Sequence, residues 1–170
     1  MTVDRIFVDA SVRRLRQMTE RIGDCAGRLN DDQVWMRGSE TENAVGNLIL
    51  HLCGNLRQWI IAGIGGASFT RDRDAEFTAR GGVTPAQLIA KLAQTVEEAC
   101  AVIEAVPGAR LTERVSLQSY DLSVLEAIYH VVDHFALHYG QIAFATKLLT
   151  HQDLGFYAHL TKPDHGRQTP

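Results

Sequence analysis

Three histidines follow one another at four-residue intervals near the C-terminus, at His130, His134 and His138. An α-helix has about 3.6 residues per turn, so side chains four apart lie on one face. Two imidazoles placed in this way can bind one divalent cation, as in the His-x-x-x-His spacing of metalloproteases. A fourth histidine, His51, lies far upstream. Two ligands from one helix and a third from another would leave coordination positions open, which is typical of catalytic metal sites.

The histidines belong to two rows of polar side chains. At about 100° per residue, four polar groups of the downstream segment share a sector of about 80°: His130, His134, His138 and Gln141. A second row follows the apolar upstream segment: Asn47, His51, Asn55 and Gln58. Such groups cost about 1–3 kcal/mol each in an apolar setting unless they find partners. Rows facing each other across a bundle would satisfy one another, and a metal would satisfy them further; the alternative is that both rows face water.

Four long helices should position these rows. Apolar residues recur at three- and four-residue steps, and the segments begin at capping residues and stop at glycine or proline. The predicted helices are Val3–Leu29, Ser39–Gly66, Thr84–Pro107 and Ser123–Leu149. The second of them is predicted to open with a capping box of Ser39 and Glu42.

The connections between these helices are long. We predict loops over Ala67–Val83 and Ala109–Leu122, the second partly extended, and a short helix around Leu154–Leu160. The fold class is therefore all-α, a four-helix bundle formed by a single domain over residues 1–170, with a frayed tail at 161–170. The long loops would permit a topology other than simple up-down.

Composition excludes several classes of function. The formal charge is −3 with no cluster of lysine or arginine, which argues against a nucleic-acid partner. No run of eighteen or more apolar residues occurs, and the N-terminus lacks the apolar core of a signal peptide. We therefore expect no membrane partner. The three cysteines form no Cys-x-x-Cys motif and are expected to be reduced in a cytoplasmic protein.

Two segments carry a resemblance to a known family. The stretch NLILHLCGNLRQW from Asn47 to Trp59, and the stretch HFALHYGQ from His134 to Gln141, resemble the two histidine helices of the DinB/YfiT-like family of four-helix metalloenzymes. The similarity extends from Met1 to about Thr161. It implies a metal triad of His51, His134 and His138, and it also implies a homodimer.

The residues around this implied triad have their own expected roles. Gln141 and Asn47 are the expected hydrogen-bond partners of the ligands, because metal-bound imidazoles donate their other N–H to an acceptor. His130 is expected to be a polar neighbour, with the alternative that it replaces a named ligand. Neutral imidazole suits Zn²⁺, Ni²⁺, Co²⁺ or Fe²⁺.

The sequence leaves more than one reaction possible at this site. Three histidines with open positions allow a bound water to ionise near pH ~7, which indicates a hydrolase. The resemblance implies instead a transferase or isomerase that uses a low-molecular-weight thiol. Phe135 stands where a zinc protease has its glutamate, so the general base is uncertain; Glu76 and Arg73 are weak catalytic candidates, with a solvated charged loop as the alternative. A non-catalytic metal-binding or stress-response module is the competing class, and the small-molecule substrate is not specified.

Overall fold

Four long helices form the body of the molecule. The structure, a computed structural model, describes residues 2–161. Within that range the long helices are α1 (Val3–Ala26), α3 (Val45–Leu56), α5 (Pro85–Glu104) and α6 (Val124–Thr150). Two short helices, α2 (Asp31–Val34) and α4 (Arg73–Thr78), and a hairpin of β1 (Arg114–Leu117) and β2 (Tyr120–Ser123) occupy the connections. The predicted all-α four-helix bundle is confirmed.

The bundle has crossed connections. α1 packs mainly against α5 and α6, and α3 packs against the same two helices. The long helices α1 and α3 therefore lie diagonally opposite each other in the bundle, and so do α5 and α6, although each pair is consecutive in the sequence. This arrangement places α3 directly beside α6, so that the two polar rows face each other.

Capping residues fix where three of the long helices begin. Thr2 accepts a hydrogen bond from the Arg5 amide at the start of α1. Thr84 and Gln87 form a reciprocal capping box at α5, and Ser123 and Glu126 form another at α6. These starts agree with the predicted ones.

The predicted apolar stripes form the core between the helices. On α1 the buried side chains include Leu15, Met18 and Ile22, and on α5 they include Leu88, Leu92 and Ile103. Phe135 and Ile142 contribute the largest buried groups of α6. Burial of such side chains stabilises the bundle by about 1.5–3 kcal/mol each.

The predicted start of the second long helix is wrong. Ser39 and Glu42 do hydrogen bond, with Ser39 Oγ 3.2 Å from Glu42 Oε1, but they close a turn ahead of the helix. The helix begins at Val45 after Ala44, whose N–H donates to Asn47 Oδ1 at 3.1 Å. Beyond Leu56 the chain continues as one π-helical stretch, Arg57–Ala62, before the glycines end it. A π-turn widens the helix where it meets the hairpin.

Three further expectations need correction. The stretch Ala67–Val83 contains α4 rather than being wholly a loop, and the first helix ends at Ala26 rather than Leu29. The short C-terminal element is a 3₁₀ turn at Ala158–Thr161. The extended part expected within Ala109–Leu122 is confirmed as a paired hairpin. The frayed tail predicted for 161–170 lies, from residue 162 onward, outside the described residues. Among residues 2–161, no helix is long and apolar enough to cross a membrane.

Candidate metal centre

Three histidine side chains converge where α3 and α6 face each other. Nε2 of His134 lies 3.1 Å from Nε2 of His51 and 3.1 Å from Nε2 of His138. The four-residue spacing on α6 aims His134 and His138 in one direction, and His51 meets them from the neighbouring helix. His51 is buried, whereas the other two are half-buried. The structure therefore brings together the three residues predicted as ligands.

The hydrogen bonds behind the rings determine which nitrogens hold lone pairs. His51 Nδ1 lies 2.9 Å from Glu76 Oε2, and His138 Nδ1 lies 2.6 Å from Gln141 Oε1. Gln141 Oε1 and the Glu76 carboxylate are acceptors, which favours a proton on each Nδ1 and a lone pair on each Nε2. Arg71 Nη2 also lies 3.0 Å from His51 Nδ1, but it donates to Glu76 Oε2 at 2.8 Å, so this carboxylate oxygen is within hydrogen-bonding distance of both groups. The buried Nδ1 of His134 has no hydrogen-bond partner among residues 2–161. With its proton on Nδ1, His134 would add a third lone pair at the same point.

The local electrostatics keep the α6 imidazoles neutral. Burial, together with the neighbouring His138, His51, His130 and Arg71, lowers the pKa of His134 to about 3. Burial also lowers the pKa of His138, although the hydrogen bond with Gln141 opposes the shift. Neutral imidazole is the form that binds metal.

A buried ion pair supports His51 from behind. Arg71 Nε donates to Glu76 Oε1 at 2.7 Å and Arg71 Nη2 donates to Glu76 Oε2 at 2.8 Å. Burial raises the pKa of the Glu76 carboxyl, but the hydrogen bonds from His51 and Arg71 outweigh it and the net shift is downward. The ionised carboxylate fixes the His51 ring and its tautomer.

The Arg71–Glu76 ion pair packs closely against α3 at Gly54. A Cβ atom on Gly54 would lie 1.9 Å from Glu76 Oε1 and 2.9 Å from Arg71 Nε. Gly54 follows His51 by three residues on the same helix. The missing side chain therefore leaves room for the carboxylate to reach His51.

Asn47 supports the segment that carries Glu76 rather than a histidine. Its Nδ2 donates to the Glu76 carbonyl at 2.8 Å and to the Ala79 carbonyl at 3.0 Å. Arg37 Nη2 donates to Asn47 Oδ1 at 2.5 Å and to the Phe77 carbonyl at 2.8 Å. Asn47 thus holds α4 against α3 and touches none of the three histidine rings, unlike Gln141.

The remaining predicted site residues lie around the centre. His130 is exposed and stacks on Trp59, with ring centroids 4.3 Å apart, while its ring lies 5.9 Å from that of His134. Arg73 is exposed, and its guanidinium lies 4.8 Å from the Phe77 ring centroid. Glu76 is committed to His51 and Arg71, so the solvated-loop alternative does not describe it.

A pocket of about 570 Å³ opens beside the three histidines. His51 and His134 form part of its wall, the hairpin residues Tyr120 and Leu122 form another part, and Trp59 lies between them. The hairpin tip is tied down by Gln118, which accepts from Trp59 Nε1 at 3.1 Å. A small molecule in this pocket would contact His51 and His134, two of the three predicted ligands.

Comparisons with known proteins agree with this fold. The sequence matches the model of the family described as "Protein of unknown function (DUF1572)" over residues 2–163. That family is DinB/YfiT-like. The chain belongs to it. The resemblance carried by the two histidine segments is therefore confirmed.

Solved structures of other bacterial proteins share the DinB-like fold. A conserved protein from Enterococcus faecalis superimposes with a TM-score of 0.71 at 13% identity, covering 89% of this chain and 99% of that one. A DinB-like protein from Bacillus subtilis gives 0.66 at 16% identity, covering 87% and 97%. A DinB-like protein from Bacillus cereus gives 0.66 at 11% identity, covering 82% and 91%. No curated protein matches the sequence significantly.

The DinB-like centre fits a divalent cation. With metal–nitrogen bonds of about 2.1 Å, two imidazole ligands lie about 3.0–3.4 Å apart at coordination angles between 90° and tetrahedral. The observed Nε2 separations of 3.1 Å fall in that range. Three Nε2 lone pairs that converge on one point are a donor set that a cation satisfies. The cluster could therefore hold one metal ion.

Sequence reasoning missed the residues that act behind the ligands. The sequence-based expectations do not include Arg37 or Gly54, and they do not foresee that Arg71 pairs with Glu76 behind His51. The sequence analysis predicts a loop where α4 lies. The Ala75 N–H donates to Asp72 Oδ1 at 3.0 Å, which is an ordinary N-cap hydrogen bond. The sequence around Asp72 was therefore a usable signal for a short helix carrying Glu76.

Proposed function

We propose that this DinB-like protein is a divalent-metal-dependent enzyme whose metal is bound by His51, His134 and His138. The proposal is supported by the convergence of the three rings: Nε2 of His134 lies 3.1 Å from each of the other two Nε2 atoms, and one ligand atom from each residue lies within 4.8 Å of the others. Zn²⁺, Ni²⁺, Co²⁺ and Fe²⁺ all suit neutral imidazole. Three protein ligands leave positions for a water, a cofactor or a substrate, which favours catalysis over a closed structural site.

The chain's own residues would prepare the centre. Glu76 accepts the His51 Nδ1 proton and Gln141 accepts the His138 Nδ1 proton, so two ligands are held in the metal-binding tautomer. The hairpin and Trp59 shield one side of the centre from bulk water. A bound cation would supply Lewis acidity, which lowers the pKa of a water or thiol beside it.

Two reaction classes use this arrangement, a hydrolase and a thiol-cofactor-dependent transferase or isomerase. The commitment of Glu76 to His51 and Arg71 favours the second, because a thiol is deprotonated on binding a metal and requires no separate base. A small thiol added to cobalt-loaded protein should then produce a sulfur-to-cobalt charge-transfer band in the near ultraviolet. A spectrum unchanged by the thiol would leave the hydrolase as the better candidate.

The competing proposal is a non-catalytic metal-binding or stress-response module. Turnover of a panel of esters, amides and thiol acceptors tests it directly. Activity that disappears in His51→Ala and His134→Ala supports the enzyme. Ligand binding without any turnover in the metal-loaded wild type supports the module.

We also propose that two copies of the chain associate through α6. The exposed side of this helix carries a row of apolar side chains: Leu125, Tyr129, Leu137, Phe144 and Leu148. A row of this kind is a candidate for a twofold contact, in which the same surface serves both partners. Light scattering should report twice the chain mass of 18.8 kDa, and Phe144→Glu should reduce it to the single value. A wild-type mass of one chain at micromolar concentration would contradict the dimer.

A further inference from the structure

One buried polar side chain in the pocket has no hydrogen-bond partner among residues 2–161. Asn55 lies four residues after His51 on α3, is only 5% exposed, and lines the pocket together with His51 and His134. No hydrogen bond joins its amide to any of residues 2–161. Its polar atoms are not among the fully enclosed atoms that lack a partner, so they remain reachable from the pocket. Asn55 therefore presents one acceptor and two donors to whatever enters the pocket.

The other amides and most of the charged groups around the pocket are committed to protein partners. Gln118 accepts from Trp59 Nε1 and donates from Nε2 to Gln58 Oε1 at 2.7 Å. Arg71 pairs with Glu76. These groups shape the pocket, whereas Asn55 is free to recognise a ligand.

Two carboxylates on the hairpin side of the pocket also have protein partners. Glu126 accepts from the Ser123 N–H at 2.7 Å, and Asp121 pairs with Arg114 at 3.1 Å. Both carboxylates still line the pocket and would repel an anion. Arg71 and Arg73 line the opposite side and would repel a cation. Side chains of both signs therefore line the pocket, so they select neither an anion nor a cation, and the choice of ligand falls to the hydrogen-bonding pattern of Asn55.

We propose that this pocket binds a small uncharged carboxamide, held by Asn55. The Nδ2 group of Asn55 donates to the ligand's carbonyl oxygen, and Oδ1 accepts from the ligand's N–H. A carboxylate would leave Oδ1 without a donor, and an ammonium group would leave Nδ2 without an acceptor. Only a group with a neighbouring donor and acceptor satisfies both atoms at once.

This assignment names the substrate class of the proposed function and rests on it for its chemistry, since a carbonyl beside a Lewis acid is open to attack. Its test does not depend on turnover. Benzamide and fluorobenzene are titrated into the wild-type protein and followed by two-dimensional NMR, with and without zinc. Fluorobenzene has the same ring as benzamide but lacks both the carbonyl and the N–H.

Two variants are compared with the wild type. Asn55→Leu removes the amide and keeps the same branched arrangement of heavy atoms, with two methyl groups in place of the oxygen and nitrogen. Tyr120→Phe is the matched control, because it removes a polar group from the exposed rim of the same pocket. We expect Asn55→Leu to weaken benzamide binding on the order of tenfold, the loss of a buried hydrogen-bonded pair. Fluorobenzene binding should stay unchanged, and Tyr120→Phe should change neither. Magnetisation transfer between benzamide and the Asn55 side-chain amide protons should be seen in the wild type.

Several results would overturn the proposal. One is equal binding of benzamide to the wild type and to Asn55→Leu. Another is no binding of benzamide to the wild type, with or without zinc. A third is an Asn55→Leu substitution that weakens benzamide and fluorobenzene binding to the same extent. Zinc binding is measured separately by calorimetry on the same samples. If zinc does not bind but benzamide binding still depends on Asn55, only the metal proposal is refuted. If zinc binds but benzamide binding does not depend on Asn55, only the carboxamide proposal is refuted.

Discussion

The two helices that supply the histidines support them in different ways. On the α3 side, His51 is buried and held by Glu76, which Arg71 holds in turn with bonds of 2.7 and 2.8 Å. On the α6 side, His138 has a single partner in Gln141, and His134 Nδ1 has none among residues 2–161. Helical spacing alone aims the α6 pair, whereas a ligand from a separate helix needs a buried network. If the two helices differ in this way, substitutions on the α3 side and on the α6 side should have effects of different size.

Breaking the α3 network should have the largest effect. Glu76→Gln leaves the buried Arg71 without a counter-charge, which should lower the free energy of unfolding by about 3–5 kcal/mol. It should also weaken zinc binding about 10- to 100-fold, because the His51 ring loses its charged acceptor and the ordered Arg71 pair that holds it. Chemical denaturation and calorimetry measure the two effects. A variant as stable as the wild type with unaltered zinc affinity would show that the network is dispensable.

The glycines of the two helices provide a matched pair. Gly54→Ala places a methyl group 1.9 Å from Glu76 Oε1, so it should cost about 1–3 kcal/mol of stability and weaken zinc binding. Gly140→Ala, beside His138, meets nothing within 4 Å and should stabilise α6 by about 0.5–1 kcal/mol without changing zinc affinity. Equal effects of the two substitutions in denaturation and calorimetry would remove the distinction between the helices.

The metal-free protein should lose stability on the α6 side as the pH falls. Folding holds the pKa of His134 at about 3, below its ordinary value of 6.5, so the unfolded chain binds the proton first. Stability from this group is full above pH 6.5 and declines as the pH falls toward 3, by at most about 1.4 kcal/mol per pH unit. Urea denaturation of wild type and His134→Gln between pH 7 and 4.5 measures it. Parallel pH profiles for the two proteins would contradict the assignment.

Loss of the single α6 support should have a smaller effect on metal binding than loss of the α3 support. Gln141→Leu removes the acceptor for His138 Nδ1 on an exposed surface, where water can replace it. We expect less than a tenfold loss in zinc affinity by calorimetry, and little change in stability. A loss as large as that of Glu76→Gln would mean that both helices depend on their hydrogen-bond partners alike.

The sequence predicted the parts of this molecule that depend on periodicity. The apolar stripes of α1 and α5 and the capping boxes at Thr84 and Ser123 gave the helices, and four-residue spacing gave the histidine pair. The supporting groups escaped prediction because they depend on tertiary contacts. Asn47 has the spacing of a partner for His51, yet its amide binds the backbone of α4. Gly54 looks like a helix-weakening residue until Glu76 is placed against it.

The binding of a single metal ion by the three histidines is the central claim, and metal stoichiometry tests it most directly. Protein purified without a nickel column is reconstituted with zinc, dialysed and analysed for metal. The wild type should hold one zinc ion per chain, and His130→Ala should do the same, whereas His51→Ala, His134→Ala and His138→Ala should each hold little. Substoichiometric zinc in the wild type, or one zinc per chain that survives all three substitutions, would contradict the account.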